Sequence, residues 1–189
     1  MTTEIYAVFS DEMLKILSSM KGKTLKAIQG VFHHGLSTTN GNIRLVLGQY
    51  AVDVECLYHD EQMIDYDGNI FVDEFAYFSC EKKSTKDEFK PFVLSAPLTF
   101  CINEVISEVI LVRDEISISN GEHLFIDQAF VIKTSEKAYT FSRDDWFLVS
   151  IDLSISDKIE GFKTLKNVRD FWSDNGRYSV DVNRQFIFL

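Results

Sequence analysis

The sharpest chemical pattern in the chain is the run Asp65, Tyr66, Asp67, Gly68, Asn69, Ile70, followed by Asp73, Glu74 and Phe75. A calcium-binding loop of the EF-hand type needs oxygen ligands at loop positions 1, 3, 5, 7 and 12, with glycine at 6 for the sharp turn. With Gly68 at position 6, Asp65, Asp67 and Asn69 occupy positions 3, 5 and 7, and Glu74 reaches position 12. Position 1 is then Met63, whose thioether is no ligand for a hard cation. The segment entering the loop, residues 50–58, alternates like a strand where an EF-hand has a helix. The same residues make an Asp-Gly reverse turn between two strands, because glycine and aspartate tolerate positive φ. The sequence therefore predicts a turn and no metal, with Asp65, Asp67, Asn69 and Glu74 as the calcium alternative.

Other ligand types are scattered. His33 and His34 are adjacent, and Cys56 and His59 are three apart. Adjacent residues on an extended chain point in opposite directions, so neither pair begins a zinc site unaided. Ser142, Arg143, Asp144, Asp145 and Asp152 put carboxylates near a hydroxyl, as acid–base catalysis requires. With 29 acidic residues in 189, such a cluster arises readily without function, and a charged turn before Trp146 is the simpler expectation. The patterns GxSxG, HExxH, GxGxxG and the P-loop are absent from the sequence. No cofactor is implied, and the chain reads more as a binding protein than as an enzyme.

Charge points the same way. The formal net charge is −10 and the pI about 4.8. Such a chain repels nucleic-acid phosphates and anionic membrane surfaces, and its densest basic stretch, Lys82, Lys83 and Lys86, is flanked by Glu81, Asp87 and Glu88. The expected partner is a protein with a basic surface, and neither nucleic acid nor membrane. The natural contributors to an acidic contact face are residues 59–67, 72–75 and 142–146, which supply Asp65, Asp67, Asp73, Glu74, Asp144, Asp145 and Trp146 as candidate partner-binding residues. Small acidic immunity and inhibitor proteins offer an analogy only. The alternative function is a small-molecule-binding protein or an unfamiliar enzyme with a cavity in a curved sheet.

The elements that must position these residues are mostly strands. Sixteen phenylalanines and a 46% hydrophobic fraction supply a large core and favour sheet. Alternation is evident over residues 43–47, 50–56, 129–134, 137–141 and 178–188, with a long strand expected over 146–155. Residues 33–41 carry loop chemistry ending in the Asn40-Gly41 turn signal. Helical spacing appears twice. Met13, Leu14, Leu17 and Met20 follow Ser10 as N-cap, and Phe162, Leu165, Val168, Phe171 and Trp172 predict a helix over 158–173 capped by Ser154 or Ser156. The expected fold is α+β: a predominantly antiparallel, curved sheet or pair of sheets with one N-terminal and one C-terminal helix. Residues 1–189 read as a single unit, with two loosely similar halves divided near 81–97 as the other organisation. That alternative leans on Tyr50 and Trp146 as residues opening alternating strands. Tyr50, Trp146 and Trp172 are expected in the core. Three cysteines without a framework suggest reduced thiols. The start, MTTEIYAVFSDEM, lacks a basic region followed by a long apolar one, so the expected location is the cytoplasm.

Overall fold

Alternating apolar residues build strands along most of the chain, and the two segments with helical spacing form the helices. A computed structural model describes residues 2–33, 38–65, 67–92, 95–143 and 145–189. In chain order the elements are β1 (Thr3–Ala7), α1 (Asp11–Ser18), β2 (Thr24–His33), β3 (Thr38–Leu47), β4 (Tyr50–Ile64), β5 (Ile70–Ser84), β6 (Leu98–Val105), β7 (Glu108–Ile118), β8 (Glu122–Lys133), β9 (Ala138–Arg143), β10 (Ser150–Ser156), α2 (Leu165–Trp172) and β11 (Val180–Phe188). The fold is α+β, with mostly antiparallel strands and one helix near each end.

Among the described residues the strands join into one sheet, in the order β11-β7-β8-β9-β10-β3-β2-β6. Two strands host two neighbours in succession, and there the sheet forks. β8 pairs in parallel with β1 over Glu122 to Ile126, then antiparallel with β9 over Ala129 to Lys133. β3 pairs with β10 over Thr38 to Asn40, then with β4 over Asn42 to Leu47. Gly41 sits between those two pairings at φ +81°, and a Cβ there would collide with the Phe92 ring. The Asn40-Gly41 pair is therefore a bulge inside a strand and not the hairpin turn its chemistry suggests. Both residue types suit either role because each needs positive φ.

β4 and β5 form a hairpin of fifteen consecutive pairs, from Tyr50↔Ser84 to Ile64↔Ile70. Only Tyr50 to Glu55 of β4 pair with β3, so the distal half of the hairpin continues past it as an arm. The arm is tied back by Arg143 at the end of β9. This side chain is 2% exposed. Its Nε donates to the Asp127 carbonyl at 2.8 Å, one Nη to the Ala7 carbonyl at 3.3 Å, and the other to the Ala76 carbonyl. The guanidinium also lies over the Phe78 ring, 5.0 Å from its centroid.

The main core gathers Leu17 and Met20 from the α1 segment with Leu25, Ile28, Ile43, Leu45, Phe78, Phe130 and Phe141, all but fully buried. Stacked rings fill it: Phe9 on Phe78 at 5.4 Å and Phe130 on Phe141 at 4.7 Å. A second cluster, with Phe75, Trp146, Val168 and Trp172, lies under α2. A third, on Ile110, Val112, Ala129 and Val131, is covered by Ile159 and Phe162. Both faces of β7 and β8 are thus buried, which explains their near-continuous apolar runs.

Two expected boundaries differ. The C-terminal helix starts at Leu165 and not near residue 158; its N-cap is Thr164, which accepts from the Asn167 amide at 3.1 Å. Gly161 explains the shift. Its φ is +90°, outside the helical region, and a Cβ would strike Ser154. Residues 146–149 do not extend the strand, because Trp146 turns inward against Trp172 at 5.4 Å. Trp146 therefore opens no strand as Tyr50 does. At the N-terminal helix, Ser10 caps as expected, accepting from the Met13 amide at 3.3 Å.

Two stability changes follow. Replacing Arg143 by Lys should cost at least about 3 kcal/mol in denaturant unfolding, because one ammonium cannot serve three buried carbonyls on three strands. A loss under about 1 kcal/mol would mean that the fork is held by packing alone. Trp172, 7% exposed, should cost about 3–5 kcal/mol on truncation to Ala, the usual penalty for a large buried aromatic.

Candidate functional site: an acidic arm beside an aromatic pocket

Residues 59–75 contain six carboxylates, Asp60, Glu61, Asp65, Asp67, Asp73 and Glu74, and no lysine or arginine. The hairpin register sets four of them face to face: Asp60 opposite Glu74, and Glu61 opposite Asp73. Like charges directly opposite one another are unfavourable. Among the described residues none of the four forms an ion pair. Period-two alternation puts Glu61 and Asp73 on one face of the arm and Asp60 and Glu74 on the other. Glu61 accepts from the Tyr77 hydroxyl, and burial together with that bond raises the Tyr77 pKa. Apolar side chains stand exposed among the charges: Tyr58, Ile70, Phe71 and Val72, the last at 62%.

The turn at the tip uses Asp65 as its organiser. Asp65 Oδ1 accepts from the Asp67 and Asn69 amides, each at 2.8 Å, and Oδ2 from Asn69 Nδ2 at 3.2 Å. Gly68 supplies φ +82°. The hydrogen bonds from Asn69 hold the Asp65 carboxyl below its ordinary range. Glu74 stands four register pairs back from the closing pair Ile64↔Ile70, roughly 13 Å at strand rise, so it does not join Asp65 in one coordination sphere.

The other candidate residues fall at the base of the same arm. The Ala76 amide donates to the Trp146 carbonyl at 2.8 Å, which draws the 145–147 segment beside β5. Asp145 accepts from the Phe147 amide at 3.2 Å, and Tyr58 donates to the Phe147 carbonyl at 3.1 Å. Trp146 is 1% exposed and has no surface to offer a partner. Asp144 lies outside the described residues, as do Tyr66 and His34. Of the zinc-type residues, Cys56 is buried and donates to the Ser150 carbonyl, while His59 packs on Tyr77 at 4.7 Å. Being three apart on one strand, they face opposite sides.

Sequence reasoning missed the ground next to the arm. The hairpin tip, the β7–β8 turn and the C-terminal end of α2 enclose a pocket of about 310 Å³, lined by Met63, Ile64, Asp65, Phe71, Asn120, Glu122, Phe171, Trp172, Asp174 and Tyr178. Glu122 is 4% exposed. Its Oε1 accepts from the Ile64 amide at 2.6 Å and its Oε2 from Asn120 Nδ2 at 3.0 Å. Trp172 Nε1 and the Oγ1 of Thr3, the register partner of Glu122, are buried with no hydrogen-bond partner among the described residues. The only local signal was the Asn120-Gly121 turn before Glu122; nothing in the linear pattern joins it to Phe71 or Trp172.

A second hollow, about 320 Å³, is lined mostly by charged residues and holds two ion pairs. Arg44 spans Asp53 at 2.6 and 2.8 Å and the Asp87 carbonyl at 2.6 Å, and Lys83 pairs with Glu81. Burial, then the neighbouring Asp53 and Glu81, raise the Glu55 pKa in its wall. Arg44 and the Asn42 side-chain amide, which donates to the Lys90 carbonyl at 2.9 Å, hold the strap of residues 84–92 against the sheet.

The fold and site define an α+β protein with an acidic, apolar-tipped hairpin arm and an aromatic pocket at its flank. No family model, curated protein or solved structure matches the chain. Among the described residues, no helix is long and apolar enough to cross a membrane.

Calorimetric titration with calcium should show no sub-millimolar binding; an affinity in that range abolished by Glu74→Gln would restore the EF-hand alternative. The turn should also respond to acid. Because the folded pKa of Asp65 is depressed, its contribution is complete above the ordinary aspartate range and is lost as pH falls through the depressed value. Carboxyl chemical shifts should therefore place the Asp65 midpoint below that of an unstructured aspartate, and Asn69→Ala should move it up.

Proposed function

We propose that this chain is a non-enzymatic binding protein that receives a partner protein with a basic surface on its β4–β5 arm. One observation carries this reading: four carboxylates held opposite one another with no ion pair among the described residues, beside exposed apolar side chains. A fold gains nothing from such repulsion, whereas a basic partner would neutralise it and bury the intervening Ile70, Phe71 and Val72. The field of the six carboxylates would also steer the encounter. The alternative, a ligand cavity within the curved sheet, is less favoured because the phenyl rings of Phe9, Phe78, Phe130 and Phe141 fill the space between the strands. The three free cysteines fit a cytoplasmic setting; burial raises the Cys56 and Cys80 pKa values to about 12, which keeps both as inert thiols.

The triple substitution Asp60→Asn, Asp73→Asn, Glu74→Gln separates function from folding. Relief of repulsion should leave the stability unchanged or raise it slightly, by about 0.2–1 kcal/mol per relieved pair. A partner captured from cytoplasm by the unaltered chain should associate with the triple variant about tenfold more slowly at low salt, and the two rates should converge as salt screens the field. Equal rates at low salt, or a marked loss of stability in the variant, would defeat the proposal.

A further inference from the structure

The pocket beside the arm has a composition that selects its occupant. Glu122 brings a buried carboxylate whose two oxygens meet only neutral donors, an amide N–H and an asparagine N–H. Among the described residues no lysine, arginine or histidine lines the pocket or pairs with Glu122. A buried carboxylate is ordinarily matched by a cation, and a well-matched pair requires one to arrive. Phe71, Phe171 and Tyr178 add aromatic surface, with Phe71 and Phe171 40% and 43% exposed. Aromatic faces favour a flat, weakly hydrated cation. Trp172 forms part of the pocket wall, so its indole reports on what occupies the pocket. An occupant must therefore supply a cationic donor and a stem that packs on rings. An anion is opposed by Glu122 and Asp65, and a volume of about 310 Å³ lies at the lower end for ligand pockets, suited to one side chain.

We propose that this pocket anchors one arginine side chain of the partner, the guanidinium meeting Glu122 and stacking between Phe71 and Phe171. The inference deepens the reading of the arm and names the anchor residue of the partner.

The probes are acetyl-Gly-Arg-Gly-amide and its citrulline counterpart, which has nearly the same shape without the charge. Added to the full chain, the arginine peptide should bind saturably, near the millimolar level of a single-residue contact, and shift the Trp172 indole resonance. It should bind at least about tenfold tighter than the citrulline peptide, the gap expected of one charge-assisted contact. Glu122→Gln should abolish that preference. Should this variant fold poorly, Phe71→Ser, at a half-exposed position, should weaken the arginine peptide about fivefold while leaving the melting temperature unchanged. The triple variant of the arm should bind the peptide as the unaltered chain does, since none of its three positions lines the pocket. Equal binding of the two peptides, or no saturable shift of the indole, overturns the pocket. If the arm variant still loses its captured partner in that case, the reading of the arm stands without it.

Discussion

The structure depends on the guanidinium of Arg143. The sheet forks where β8 exchanges β1 for β9, and where the β4–β5 arm leaves β3. At such a fork, carbonyls lose the strand neighbours that would normally satisfy them, and a buried unpaired carbonyl is costly. Arg143 takes three of them, from Ala7, Asp127 and Ala76, and so joins β1, β8 and β5 to its own strand β9. The Asp127 side chain completes the arrangement, accepting from the Phe9 amide at 2.6 Å and from Arg113 at 2.7 Å. Burial is the main influence on both groups: it lowers the Arg143 pKa and raises that of Asp127, each against its charged form. No shorter or less branched donor reaches three carbonyls that diverge from one point.

This anchorage lets the arm carry unfavourable chemistry. A free two-stranded ribbon with facing carboxylates would be marginal. Here the arm is fastened at Ala76 through both its amide, to the Trp146 carbonyl, and its carbonyl, to Arg143. Its inner face packs Phe75 against Phe147 and Trp172. The outer residues are thereby released from any duty to hold the hairpin together. Charge repulsion and exposed apolar side chains can persist at the tip because the stability of the arm resides at its base.

The two hollows show how the same residue types serve different ends. Around Arg44, the guanidinium meets the Asp53 carboxylate and the Asp87 carbonyl, and the result is a strap held against the sheet. Around Glu122, the carboxylate meets only neutral donors among the described residues, and the indole of Trp172 has no acceptor.

Much was legible in the chain by itself. The period-two alternation determined the strands, because inward and outward residues must alternate on a half-buried sheet. Ser10 before an acidic first turn determined the start of α1, and the Asp-Gly turn declared itself through the φ tolerance of its residues. These are local properties, and the sequence carries local information in full. What only the tertiary structure decided is non-local. Gly41 became a bulge and not a turn because β3 must serve β10 and β4 in succession. Gly161 delayed α2 because Ser154 lies against it. Arg143 looked like one charge in a charged turn, yet its role comes from carbonyls 16, 67 and 136 residues away. Glu122 and Trp172, fifty residues apart, share a pocket with Phe71 only because β5, β8 and α2 converge at one end of the sheet. Strand pairing determines which distant residues meet, and no periodicity along the chain encodes those meetings.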